Sequence, residues 1–218
     1  MYTAGMTHPL LSRAPHRDRP AVSLFGGIRL TCGRVHECAG LARRTFAVLL
    51  AAKMSAPVFW ITPAWATDRL NPEGVHPFVK PQNFIHLSPR RPEDALWCME
   101  EALRSGAIPL IIGDLPGAPG LTPVRRMHLA ADTGAGEGRC VPLGLLLTPG
   151  DGGAQGVESR WMLTPCHNTE KSKWILNRTR ARTDPMKSWA LHQKDWRSPL
   201  TAHPVPPQLP PEKAQKQA

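Results

Sequence analysis

Hydrophobic and polar positions change their period several times along this chain, and each change marks an element. From Arg34 to Cys38 the side chains alternate between two faces, as in a strand. After Ala39-Gly40 the spacing lengthens, so that Phe46, Leu49 and Leu50 fall on one face of a helix running to about Lys53. Pro57 to Thr62 (PVFWIT) is a compact apolar run of the kind buried inside a sheet, and Asn83 to Leu87 (NFIHL) predicts another strand. Between them, the Pro, Asn and Gly of Pro63 to Pro81 predict a loop with one short helix. Arg91-Pro92-Glu93-Asp94 opens a helix, because proline suits the first turn and acids suit the positive end. Leu96, Met99 and Leu103 form its inner stripe, and Gly106 ends it. Ile108 to Asp114 is an aliphatic strand closing on an aspartate, Pro123 to Ala131 has helical spacing, and Val141 to Thr148 reads as a buried strand. The glycine-rich stretch Gly150–Gly156 then leads to strands at Glu158–Thr164 and Lys173–Thr179.

Strands alternating with helices, with central strands apolar throughout, predict an α/β fold whose mostly parallel sheet is flanked by helices. The last strands lack intervening helices and predict antiparallel edges. Prolines number 24 in 218 residues and cluster at both ends. The expected organisation is therefore a poorly ordered arm over 1–24, one domain over 25–185 and a proline-rich tail over 186–218.

Charge sharpens the picture. The formal net charge of +10 points to a polyanionic partner. No apolar run reaches the length of a bilayer span, so a cytoplasmic protein without a membrane partner is expected. Five widely spaced cysteines without a C-x-x-C pair argue for reduced thiols and no zinc site.

Candidate chemistry sits in three places. A strand, a glycine turn and a helix, as in Gly33–Lys53, is the arrangement that holds phosphates, since backbone N–H groups and the helix dipole converge there. The G-x-x-x-x-G-K-[ST] motif is absent, however: Gly40 is followed by Leu41, Ala42, Arg43 and Arg44 before Thr45. Arg43 and Arg44 are read either as a bidentate phosphate clamp or as a solvated helix face. Asp114, at a strand end, is either a magnesium-associated acid or a simple cap. The third place is KSKWILNRTRAR, in which Lys171, Lys173, Arg178, Arg180 and Arg182 surround Trp174. Alternation would set Arg178, Arg180 and Arg182 on one strand face, able to follow a phosphate backbone while the indole stacks on a base. Alternating arginines can equally protect an edge strand. No nucleophile motif and no paired acids with a partner motif occur, so no catalytic residues are expected.

The order of these signals resembles the ImuA family, RecA-like proteins of bacterial SOS mutagenesis cassettes. The resemblance covers about Phe25 to Pro185 and rests on GRVHECAGLARRT, PVFWITPAW, RLNPEGV, EDALWCMEEALRSGAIPLIIGDLP, LTPVRRMHLAA, LGLLLTPGD and ESRWML. It implies a RecA-like core in which Gly40 matches the first glycine of the phosphate loop, Thr45 its hydroxyl residue and Asp114 the aspartate after the fourth strand. Arg44 stands where lysine belongs, and the water-activating glutamate would fall near Ala64. The DNA-binding loops would be reduced to Gly134–Gly138 and Gly150–Gly156. Without lysine and glutamate ATP hydrolysis is not expected, while weak ATP and magnesium binding through Gly40, Arg43 and Thr45 stays open. The implied role is a non-catalytic accessory of error-prone translesion synthesis. Its implied partners are DNA, an ImuB-type polymerase homologue, an error-prone replicative-type polymerase and, as a further candidate, RecA. The alternatives are a DNA-dependent ATPase in which Arg43 or Arg44 replaces lysine, and a modulator of RecA filaments.

Overall fold

The computed structural model describes residues 19–54, 57–168, 172–194 and 198–206. Its centre is a nine-stranded sheet. Strands β3 (Val35–Ala39), β4 (Val58–Ile61), β5 (Phe84–Leu87), β6 (Leu110–Asp114), β7 (Leu143–Leu147) and β8 (Ser159–Pro165) are mutually parallel. Strands β9 (Ser172–Ala181), β10 (Lys187–Gln193) and β11 (Thr201–Val205) continue the sheet antiparallel. The spatial order is β11-β10-β9-β8-β3-β7-β6-β4-β5. A small antiparallel pair, β1 (Ala21–Ser23) and β2 (Arg29–Thr31), stands apart from it. The α/β fold with a mixed sheet thus has the parallel core, the antiparallel edge and the flanking helices expected from the sequence.

Helices cover both faces because the central strands are apolar on both. Leu110 and Ile112 face α1 (Arg43–Met54), in a core that includes Phe46, Leu50, Trp60, Trp161, Trp174 and Trp189. Ile111 faces the other way, toward α3 (Pro92–Ser105) and α4 (Leu121–Glu137), with Met99, Leu103, Val124 and Met127. Each large side chain buried in this way stabilises the fold by about 2 kcal/mol before entropy is counted. The short α2 (Pro72–Val75) is the helix expected between β4 and β5, with the Asn71 side chain accepting from the Glu73 N–H as its cap.

Two expectations about extent are revised. The sheet runs past residue 185, since β10 and β11 pair in register with β9 and with each other. Trp189 and Leu191 alternate into the core there, a weak pattern flanked by the proline clusters that suggested a tail. Gly134–Gly138 is no loop: it is the last turn of α4 and its cap. A Cβ at Gly134 would stand 2.0 Å from the Leu103 carbonyl oxygen, so glycine there lets α4 press against the end of α3.

Candidate functional site

The β3–α1 turn is where a strand, a glycine and a helix N-terminus meet. Gly40 adopts φ +89°, and a Cβ on it would come within 2.8 Å of the Leu163 carbonyl oxygen, so only glycine turns the chain here. Three of the N–H groups at this turn are already used. Gly40 donates to the Gly150 carbonyl at 3.1 Å, Ala42 to Leu163 at 3.2 Å and Arg43 to Gly40 at 3.3 Å.

The first turn of α1 carries no acid of its own, and two arginines beside a helix N-terminus are unfavourable without an anion. Asp114, arriving from the end of β6, supplies one. Arg44 Nε donates to Asp114 Oδ2 at 2.6 Å, and its Nη2 donates to the Asp68 carbonyl at 3.3 Å. Arg43 Nε lies 3.9 Å from Asp114 Oδ1, too far for a hydrogen bond, and that nitrogen is buried without a partner. Asp114 is only 5% exposed. Gly40, Arg43, Arg44 and Asp114 are therefore brought together as expected, with half-buried Thr45 in the first turn of α1. With Asp68, whose carboxylate lies 4.0 Å from Arg44 Nη1, the two arginines face two acids.

Beside this turn lies an acid that sequence reasoning missed. Glu37, in the middle of β3, is fully buried. Its Oε1 accepts from Thr148 Oγ1 at 2.6 Å and from the N–H groups of Gly153 and Ala154 at 2.8 and 3.0 Å. Oε2 accepts from Arg160 Nε, whose Nη2 also donates to the Ala154 carbonyl. A buried carboxylate with this many donors is satisfied, and it pins the Gly150–Gly156 loop to the sheet. Gly152, at φ +78°, has no Cβ to meet the carboxylate, which would otherwise lie 2.9 Å away. The only sequence signal was an acid inside an apolar strand.

His36, the neighbouring residue, belongs to a second buried network. Trp161 Nε1 donates to Ser159 Oγ at 2.7 Å, Ser159 lies 2.7 Å from His36 Nδ1, and His36 Nε2 lies 2.9 Å from the Thr31 carbonyl. The carbonyl can only accept, so the proton is on Nε2 and Nδ1 accepts from the serine hydroxyl. Burial pushes the imidazole pKa down to about 4, keeping the ring neutral.

The arginine segment is arranged differently from the expected row. Along β9, Trp161 pairs with Arg178 while its neighbour Arg160 pairs with Arg180, so Thr179 is the extra residue of a β-bulge. Adjacent residues of β8 point to opposite faces; Arg178 and Arg180 therefore do too. Arg178 turns inward, 5.5 Å from the Trp161 and Trp189 ring centres, and donates to Asp184 at 2.7 Å and to the Pro185 carbonyl at 3.0 Å. Trp174 is 6% exposed, in contact with the His167 ring, and cannot stack on a base. Lys173 is half-buried, and Lys171 lies outside the described residues. Among the described basic residues of the segment only Arg180 and Arg182 are exposed, and both border a hollow beside α4.

The five cysteines are free thiols, and burial raises the pKa of Cys32 and Cys38. Among the described residues no cluster of His, Cys, Asp and Glu could hold a metal ion, and no helix is long and apolar enough to cross a membrane. Comparison with models of known protein families and with curated proteins finds no match to the chain.

Proposed function

We propose that this chain is a non-catalytic accessory of damage-induced, error-prone DNA synthesis, built on a RecA-like core whose nucleotide site is inactive. It acts as a scaffold, joining an ImuB-type polymerase homologue and its replicative-type polymerase partner to DNA. The observation that carries the non-catalytic part is the 2.6 Å contact from Arg44 to Asp114. In a phosphate-transfer site the cation must face the β- and γ-phosphates, and the aspartate must face magnesium. Here each is occupied by the other. The Gly40, Ala42 and Arg43 N–H groups are likewise committed to carbonyls. The scaffold role and the partners come from the resemblance to the ImuA family, and the net charge of +10 favours the DNA.

The test is binding of a fluorescent ATP analogue together with phosphate release, each with and without single-stranded DNA. We expect no phosphate release. Release that vanishes in Asp114→Ala would overturn the reading and restore an ATPase. Co-purification with the ImuB-type homologue tests the scaffold role, which a failure to associate would remove.

A further inference from the structure

Six guanidiniums gather where α4 passes the bulged end of β9. One hollow of about 590 Å³ is bordered by Arg34, Arg125, Arg180 and Arg182, with His128 and Asp132. A second, of about 770 Å³, is bordered by Arg19 and Arg29 and shares Arg34 and Arg182 with the first. The two hollows therefore adjoin along that shared pair.

Carboxylates answer only part of this charge. Asp132 accepts from Arg19 at 2.7 Å and from Arg34 at 3.0 Å. Partial burial opposes its ionisation, but these two hydrogen bonds outweigh that and hold its pKa below the usual range. Glu158 lies 3.6 Å from Arg34 and 4.0 Å from Arg182. Asp184, at the rim of the second hollow, is held by Arg178. Arg29, Arg125 and Arg180 are exposed and have no acidic partner among the described residues. His128 adds no charge at neutral pH, since burial lowers its pKa.

We propose that this cleft binds the sugar–phosphate backbone of single-stranded nucleic acid, with Arg29, Arg125 and Arg180 as phosphate contacts. Unmatched guanidiniums set across two joined hollows suit a repeated anion better than a single one, and guanidinium is the side chain best shaped for phosphate. The first hollow also has an apolar wall, in which Leu129 is 67% exposed. An unpaired strand can lay bases against such a wall, whereas a duplex keeps them turned inward. This inference deepens the nucleic-acid part of the reading above and rests on it, but moves the contact to residues brought together only by folding.

The test is fluorescence anisotropy of a labelled single-stranded oligonucleotide against the full chain over a salt series. Arg125→Ala/Arg180→Ala is compared with Arg90→Ala/Arg91→Ala, which removes the same charge from an exposed site elsewhere. We expect the cleft variant to bind on the order of tenfold or more weakly, with a log–log salt slope shallower by about 0.7 per arginine. The Arg90/Arg91 variant should bind like the parent. Equal losses in both variants, or none in the cleft variant, would overturn the cleft while leaving DNA binding by the protein intact. No binding by the parent chain would overturn the nucleic-acid reading itself. Duplex bound as tightly as single strand, or a phosphorylated peptide bound more tightly than either, would overturn the ligand assignment. Unchanged thermal melting of the variants separates lost contacts from lost fold.

Discussion

The β3–α1 turn and the α4–β9 cleft are both rich in arginine, yet they are electrostatic opposites. At the turn, Arg43 and Arg44 meet the almost fully buried Asp114, Arg44 also lies 4.0 Å from the exposed Asp68, and the Gly40, Ala42 and Arg43 N–H groups have carbonyl partners. At the cleft, six guanidiniums meet two available carboxylates, and three of the six stay exposed and unmatched. The number of arginines does not distinguish a binding site from a structural one; the placement of counterions does. Charges matched by nearby acids leave little net field for a ligand, whereas exposed unmatched charge attracts polyanions at long range.

The largest effect that would break this contrast is expected from Asp114→Ala. It strands two partly buried guanidiniums at a helix N-terminus and should cost about 3 kcal/mol in urea unfolding. The variant should also be stabilised by millimolar inorganic phosphate, the parent chain much less so. No difference between them in phosphate dependence would show that the turn was never neutralised from within.

Acid should act next most strongly, and below the cleft, not at the turn. His36 has a folded pKa of about 4, against about 6.5 when unfolded. The unfolded chain therefore binds the proton first. The stability contributed by the neutral ring is present above pH 6.5 and lost as pH falls toward 4, by about 3 kcal/mol in all. Unfolding measured across this window should show that slope in the parent chain, and a flatter one in His36→Gln.

The smallest of the three effects concerns Arg178, the arginine that the bulge turns inward. Arg178→Ala should lower stability by about 2 kcal/mol, through lost cation–π contact with two indoles and an orphaned Asp184. Its affinity for single-stranded DNA should stay within twofold of the parent. A large loss of binding without a loss of melting temperature would return Arg178 to the nucleic-acid surface.

Much of the frame was legible because β4, β6 and β7 are short apolar runs and the main helices have bounded amphipathic patterns. The meeting of Gly40, Arg44 and Asp114 was legible too, since strand ends and helix starts gather along one edge of a parallel sheet. The bulge at Thr179 was not: alternation along β9 presumes a period of two, and one extra residue reverses every face beyond it. Strand β10 was hidden because KSWALHQ mixes polar residues between its buried positions and lies between prolines. The cleft had no linear signature. Arg34, Arg125 and Arg180 are far apart in the chain, and each alone is an ordinary surface arginine.

Glu37 gives these regions a common mechanical element. The loop that it pins begins at Gly150, whose carbonyl occupies the Gly40 N–H, and ends at Gly156, whose carbonyl meets His128 in the cleft wall. One buried carboxylate thus clamps the middle of a segment whose two ends belong to the two arginine sites. With its centre fixed, the segment behaves as a short beam. A push on its cleft end must be absorbed in the glycines between, or be felt at the turn.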